Sequence, residues 1–151
     1  MIREAVIFTG IQASGKSTFY QERFSRTHTR INLDTLRTRT REARFLQTCL
    51  DSKQSFVVDN TNPTQADRAR YIGLAKAAGF RMIGYFFRTT VEDAVQRNRG
   101  RTGRQCIPPT VIHACHARLE PQTEDEGFDE LFEVKIVENR FVVKPLTNAS
   151  H

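Results

Sequence analysis

Residues Gly10, Gly15, Lys16 and Ser17 have the types and the spacing of a phosphate-binding loop. They match the pattern G-x-x-x-x-G-K-[ST] in full, directly after an apolar run and before a helical pattern. Backbone N–H groups of such a loop surround an anion, and glycine permits the backbone angles and the close approach. The dipole of the following helix adds to the attraction. The loop therefore predicts binding of a nucleoside triphosphate rather than a turn without a ligand.

The side chains of this loop have separate predicted roles. Lys16 reaches the outer phosphates, the Ser17 hydroxyl ligates Mg²⁺, and Thr18 contacts an inner phosphate. The cofactors that follow are ATP and Mg²⁺, with Ser17 as the metal ligand. The predicted nucleotide-binding residues of the loop are Gly10, Ser14, Gly15, Lys16, Ser17 and Thr18. The loop does not indicate what receives the phosphoryl group.

Two aspartates close predicted strands, where ligands of a parallel sheet gather. Asp34 ends the run RINLD and Asp59 ends FVVD. A kinase needs a carboxylate that orients the acceptor hydroxyl and takes its proton. If Thr35 opens a helix, Asp34 and Arg37 face one pocket and can hold a hydroxyl and a neighbouring phosphate. The alternatives are that Asp34 caps a helix and that Asp59 anchors the turn NTNP.

A basic segment, residues 97–104, has the composition of a lid. It holds four arginines among glycines. An arginine that closes over a phosphoryl group in transfer stabilises the charge spread over its oxygens. The alternative is a solvated basic loop. The arginines are Arg97, Arg99, Arg101 and Arg104.

Strand and helix patterns alternate along the chain and must position these residues. We predict strands at 4–10, 30–34, 55–60 and 81–87, and helices at 16–24, 35–51, 64–79, 90–98 and 108–119. Thr64 and Thr90 are predicted N-caps, and residues 132–137 and 140–145 form a strand pair or one broken strand. The fold class predicted is α/β, a kinase-type P-loop NTPase with a parallel sheet, helices on both faces and a basic lid.

Length, charge and cysteine content further restrict the number of domains, the ligands and the cellular compartment that the sequence predicts. The 151 residues predict one domain over 1–145 and a disordered tail at 146–151. The net charge of +6 is uneven, because residues 1–118 carry +11 and the remainder −5. Eighteen of the 23 cations are arginine, which suits a polyanion or a solvated surface. Three scattered cysteines and no apolar run of roughly 20 residues indicate a reduced, cytoplasmic protein without a membrane partner. The oligomeric state stays open.

Several segments together resemble the kinase domain of 5′-hydroxyl polynucleotide kinases. They are GIQASGKST, INLDTLR, VVDNTNP, QRNRGR, the helix opened by IPPTVI, and LEP…EGFDEL, in the family's order over about residues 4–137. The resemblance implies that Asp34 is the general base and that Arg37 grips the acceptor's next phosphate. It implies that Asp59 organises the acceptor pocket and Arg37. It also implies that Arg101, with Arg97 as helper, contacts the ATP phosphates; the lid is about one residue longer than the family pattern, which leaves Arg99 and Arg104 as alternatives.

The function predicted is ATP-dependent phosphoryl transfer to the 5′-hydroxyl end of DNA or RNA. One alternative is a small-molecule kinase that acts on a nucleoside, sugar or antibiotic hydroxyl. The other is a non-catalytic, nucleotide-controlled interaction module, against which the pairing of Asp34 with Arg37 counts. The excess of +11 over residues 1–118 favours a nucleic-acid substrate over a small molecule.

Overall fold

Six strands and six α-helices make up the computed structural model, which describes residues 3–101 and 106–146. The strands are β1 (Glu4–Thr9), β2 (Thr29–Ile31), β3 (Phe56–Val58), β4 (Arg81–Phe87), β5 (Glu130–Val137) and β6 (Arg140–Pro145). The helices are α1 (Lys16–Arg23), α2 (Leu33–Leu36), α3 (Arg39–Ser52), α4 (Gln65–Ala77), α5 (Val91–Asn98) and α6 (Pro109–Arg118), with a 3₁₀ turn at Glu124–Glu126.

The strands form one sheet in the order β2-β3-β1-β4-β5-β6. The first five strands run parallel, and β6 pairs antiparallel with β5. β1 lies between β3 and β4, with Val6 beside Val57 and Ile83. The carboxyl ends of β1, β2 and β3 therefore meet at one edge, and the loops that follow them share that edge.

Side chains of β1 alternate between two cores, one on each face of the sheet. Ala5 and Ile7 pack in the cluster that includes Leu46 of α3 and Tyr71 of α4. On the opposite face, a second cluster contains Val6, Phe8, Phe19, Tyr20, Val57, Ile83, Phe87 and Val134. Helices therefore cover both faces, which confirms the predicted α/β fold.

A third apolar cluster lies under the loop that follows β1. Ile11 and Ala13 of that loop pack against Ala94 of α5 and against Ile112 and Cys115 of α6. These two helices therefore pack against the loop and support it. No helix in the described ranges is long and apolar enough to cross a bilayer.

The segment from 30 to 52 differs from its prediction. The strand ends at Ile31, and Asn32 caps α2 by accepting from the Thr35 N–H, so Asp34 lies in the first turn of a helix instead of at the end of a strand. Asn is among the best N-cap residues, and it takes the cap two positions before Asp34. The helix predicted at 35–51 is divided at Arg37, whose φ is 78°. Thr38 then caps α3.

Other boundaries match their predictions closely. Thr64 and Asp67 form a reciprocal capping box at α4, and Thr90 accepts from the Asp93 N–H at α5. The last two strands are a pair, because Glu138 and Asn139 have the positive φ values, 51° and 62°, of a tight hairpin turn. The Leu146 N–H donates to the Leu131 carbonyl at 2.9 Å. Residues 147–151 of the predicted tail lie outside the described residues.

Candidate active site

The loop between β1 and α1 has the geometry of a phosphate-binding loop. Gly15 has a φ of 93°, in the left-handed region that glycine adopts readily, and α1 begins at the next residue. A Cβ on Gly10 would approach the Cβ of Phe87 to 2.8 Å. A Cβ on Gly15 would lie 3.0 Å from the Ile136 side chain and 3.1 Å from the Phe141 ring. Packing against Phe87 therefore favours glycine at position 10, and the left-handed backbone favours it at position 15.

Lys16 lies folded across this loop. Its Nζ donates to the carbonyls of Gly10 at 3.0 Å and Ile11 at 2.7 Å, and its side chain is buried. Burial lowers the pKa of Lys16 from 10.5 to about 8, because a buried ammonium loses its hydration. The carboxylates of Asp59 and Asp34 oppose this shift in the pKa, and the Arg101 guanidinium adds to it. Three of the predicted site residues therefore lie within electrostatic reach of the loop lysine.

Asp59 follows β3 and faces the first turn of α1. Its Oδ2 accepts from the Ser17 hydroxyl at 3.2 Å and from the Arg30 Nε at 2.8 Å. A second nitrogen of Arg30 donates to the Ser17 hydroxyl at 2.9 Å. Asp59 is buried, and Arg30 supplies its counter-charge. The position of β3 between β1 and β2 in the sheet brings these side chains together.

The oxygen pair formed by Ser17 and Asp59 suits Mg²⁺. Magnesium prefers hard oxygen ligands, and it usually binds through one or two protein oxygens together with substrate phosphates. The guanidinium of Arg30 donates to both oxygens. Within residues 3–101 and 106–146, no cluster of three or more His, Cys, Asp or Glu side chains could form an all-protein metal site.

Sequence reasoning missed Arg30, although its signal was present. Ile31 packs in the core on the α3 and α4 side of the sheet. Because strand side chains alternate, Arg30 must face the other side, where α1 and the phosphate loop lie. The resemblance assigned Arg37 as the partner of Asp59, whereas the hydrogen bonds of the Asp59 carboxylate within the described residues go to Ser17 and Arg30.

Helix α2 presents Asp34 and Arg37 at its two ends, and both are exposed. The Asn32 amide donates to the Asp59 carbonyl at 2.6 Å, and the Asn60 side chain accepts from the Leu33 N–H at 2.8 Å. These two bonds fix the start of α2 to the end of β3. Arg37 has a positive φ and closes the helix by donating its N–H to the Leu33 carbonyl. Such strained backbone is typical of functional sites.

The predicted lid begins inside a helix. Arg97 belongs to α5, and its guanidinium donates to the Ala13 carbonyl of the phosphate loop at 3.4 Å. Arg99 caps the end of α5. The buried Asn98 side chain accepts from the Ile107 N–H at 2.8 Å and donates to the Ile107 carbonyl, which joins the end of α5 to the segment before α6. Arg104 lies outside the described residues.

Comparison with known proteins shows the sequence family of the chain and a distant relative. The family described as AAA domain, AAA_33, matches residues 6–122, and the chain belongs to this family. A curated protein from Schizosaccharomyces pombe, named bifunctional polynucleotide phosphatase/kinase, is 27% identical over 136 residues. That match covers 87% of this chain and 33% of the relative, so the chain spans about a third of the relative's length.

Two solved structures share the fold. Kti12 from Chaetomium thermophilum, in complex with ADP-AlF3, has a TM-score of 0.65 at 17% identity and covers 87% of this chain and 88% of its own. A gluconokinase from Sinorhizobium meliloti 1021 has a TM-score of 0.62 at 15% identity, and the match covers 91% of this chain and 85% of the gluconokinase chain. The sequence family, the fold and the phosphate loop together confirm the predicted fold class, a P-loop domain with a largely parallel sheet between helices.

Proposed function

We propose that this chain transfers the terminal phosphoryl group of ATP to the 5′-hydroxyl end of DNA or RNA. The observation that carries the proposal is the attachment of α2 to the end of β3 through Asn32 and Asn60. This attachment fixes the start of α2 at the sheet edge that the phosphate loop shares, and the Asp34 carboxylate acts to raise the pKa of Lys16 against the effect of burial. A carboxylate so placed suits a general base for an acceptor hydroxyl.

Residues of the loop and the lid hold the nucleotide in this proposal. Backbone N–H groups at Gly15 and the positive end of α1 surround the outer phosphates. Lys16 turns from the loop carbonyls to the phosphates, and Thr18 contacts an inner phosphate. Ser17, with Asp59 beside it, would hold Mg²⁺, and the metal would supply positive charge that neutralises the phosphate oxygens. Arg97 and Arg101 stabilise the negative charge on the oxygens of the phosphoryl group during transfer.

The acceptor lies between α2 and the nucleotide. Asp34 accepts the proton of the 5′ hydroxyl as its oxygen attacks the γ-phosphorus in line. The bond from the γ-phosphorus to the bridging oxygen of ADP breaks, and ADP leaves without a covalent enzyme intermediate. Arg37 holds the phosphate on the 3′ side of the first acceptor nucleotide with a forked guanidinium. The distant relative named as a polynucleotide phosphatase/kinase and the charge of +11 over residues 1–118 support a nucleic-acid acceptor.

The experiment offers ATP labelled at its terminal phosphate to a 5′-hydroxyl oligonucleotide and, in parallel, to nucleosides and sugars. We expect the label on the oligonucleotide. Label on a nucleoside or sugar alone would establish the small-molecule alternative, and no transfer to any acceptor would favour the interaction module.

The general base is tested with Asp34→Asn. We expect transfer to fall at least about a hundredfold, in the range of positioned general bases, while the dissociation constant for ATP stays within about twofold. Asp51→Asn, an exposed aspartate of α3, is the matched control and keeps full transfer. Loss of ATP binding in Asp34→Asn would contradict the role assigned to this carboxylate.

A further inference from the structure

A buried carboxylate in the helix after α2 accepts hydrogen bonds from four donor side chains. Glu42, in the first turn of α3, has a side chain that is only 1% exposed. Its Oε1 accepts from the Tyr71 hydroxyl at 2.8 Å, from Arg39 at 2.9 Å and from Arg70 at 3.0 Å. Its Oε2 accepts from the Asn60 amide at 2.9 Å. A carboxylate buried in this way needs such partners, and Glu42 has them.

The two cations of this cluster differ from their anion in exposure. The side chains of Arg39 and Arg70 are 58% and 46% exposed, although both guanidiniums contact the buried Glu42. The Arg70 guanidinium also lies 4.8 Å from the centre of the Tyr71 ring. Their hydrogen bonds within the described residues use one nitrogen of each guanidinium and go to Glu42 and Tyr71. Each side chain is therefore anchored by buried partners through one nitrogen while about half of it is exposed.

The side chains of the cluster have a net charge of one positive unit, which suits an anionic ligand. Two guanidiniums and one carboxylate sum to +1, which balances the single negative charge of a phosphodiester. Guanidinium forks suit phosphate oxygens and recognise them in a defined geometry. Glu42 also keeps the two cations close together, since without it they would repel each other.

The same cluster is connected to the proposed acceptor site. Asn60 donates to Glu42 with its nitrogen, and its oxygen accepts from the Leu33 N–H at the start of α2. Leu33 directly precedes Asp34, and Arg39 follows Arg37 by two residues. The pair Arg39 and Arg70 is therefore joined, through Glu42 and Asn60, to the start of the helix that carries Asp34.

We propose that Arg39 and Arg70 form a second phosphate subsite for the acceptor strand, beyond the phosphate assigned to Arg37. This inference rests on the proposed function and deepens it, because a second subsite favours a polynucleotide over a nucleotide or a sugar. Phosphate contacts of this kind fix the register of a strand without reading its bases. The subsite therefore acts on acceptors of any sequence, provided that they carry more than one phosphate.

The test compares two acceptors, a nucleoside 3′-phosphate and a 5′-hydroxyl octanucleotide, in the double variant Arg39→Gln, Arg70→Gln. We expect the ratio of kcat/KM values, octanucleotide over nucleoside 3′-phosphate, to fall at least about tenfold, as loss of charged hydrogen bonds implies. The matched control is Arg41→Gln, Arg44→Gln, which removes two exposed cations of α3 that do not bond Glu42. The control keeps the ratio within about twofold if the effect belongs to the subsite and not to net charge.

A second variant guards against misfolding, because the double variant leaves Glu42 buried without a cation. The triple variant Glu42→Gln, Arg39→Gln, Arg70→Gln removes the anion together with both cations and is checked by thermal unfolding. A folded triple variant with an unchanged ratio, or a control that loses as much as the double variant, overturns the subsite. If the unmodified protein labels neither acceptor, the proposed function itself fails, which is a different result from transfer to both with no effect of the variants.

Discussion

Two buried carboxylates of this molecule are paired with arginines in opposite ways. Glu126, at the end of the 3₁₀ turn, forms a double hydrogen bond with Arg68 of α4 at 2.7 and 2.9 Å, and both side chains are buried. Glu42 is equally buried, but its arginines, Arg39 and Arg70, reach solvent. One pair is closed, and the other is open on its cationic side.

The closed pair holds the chain together. Arg68 also donates to the carbonyls of Asn62 at 2.9 Å and Glu120 at 3.0 Å, so one guanidinium joins α4, the turn after β3 and the segment after α6. No donor of Arg68 faces a ligand, because its side chain is fully buried. The comparison teaches that burial of a carboxylate does not by itself indicate a functional site. A functional site is indicated when the arginines bonded to the buried carboxylate are exposed.

The largest effect is expected when the closed pair is broken. Arg68→Met should lower the free energy of unfolding by about 3–5 kcal/mol, because it leaves the Glu126 carboxylate buried without a counter-charge. Urea unfolding measures this change. Arg70→Met, two residues along the same helix, is the matched control and should cost about 1 kcal/mol or less, since its cation is half exposed. Equal losses in the two variants would remove the distinction between a closed and an open pair.

Lys16 is a third kind of buried charge, and the next largest effect is expected on the pH dependence of ATP binding. Its hydrogen bonds go to carbonyl and hydroxyl oxygens and not to a carboxylate, and burial lowers its pKa to about 8. A nucleotide binds the charged form, so affinity is fully present below this pKa and falls as the pH rises through it. From about pH 7 to about pH 9 we expect the dissociation constant for ATP to rise about tenfold.

Calorimetric titration across this pH range measures the effect, with Lys16→Met as the reference. The variant lacks the titrating group, so its weaker binding should change little with pH. A dissociation constant of the unmodified protein that is flat up to about pH 10 would mean that the ammonium keeps its ordinary pKa, in contrast to the burial that the structure shows.

Local pattern predicted the phosphate loop and the elements outside residues 30–52, and Asp59 directly follows β3, close to its predicted place at a strand end. It did not find the partners of the charged residues on core-facing positions. Arg68 lies on the same helical face as Tyr71, Ile72 and Ala75, all of them buried. Glu42 lies on the buried face of α3 together with Leu46, Cys49 and Leu50.

Periodicity therefore indicates that Arg68 and Glu42 are buried, and a buried charge requires a partner. It cannot name that partner, because Glu126 is 58 residues from Arg68 and Tyr71 is 29 residues from Glu42. Only the folded arrangement of α3, α4 and the 3₁₀ turn brings them together. The pairing of Asp59 with Arg37 came from the family resemblance, whereas the structure pairs Asp59 with Arg30, 29 residues away on a neighbouring strand.

The smallest effect is expected on stability when a single cation of the open pair is removed. Arg39→Gln should change the free energy of unfolding by less than about 1 kcal/mol, because exposed ion pairs contribute little. Tyr71, Asn60 and Arg70 still satisfy the Glu42 carboxylate in this variant. Urea unfolding in parallel with Arg68→Met gives the comparison directly. A loss above about 2 kcal/mol would make Arg39 a structural residue like Arg68, and its exposed donors would then no longer argue for a ligand.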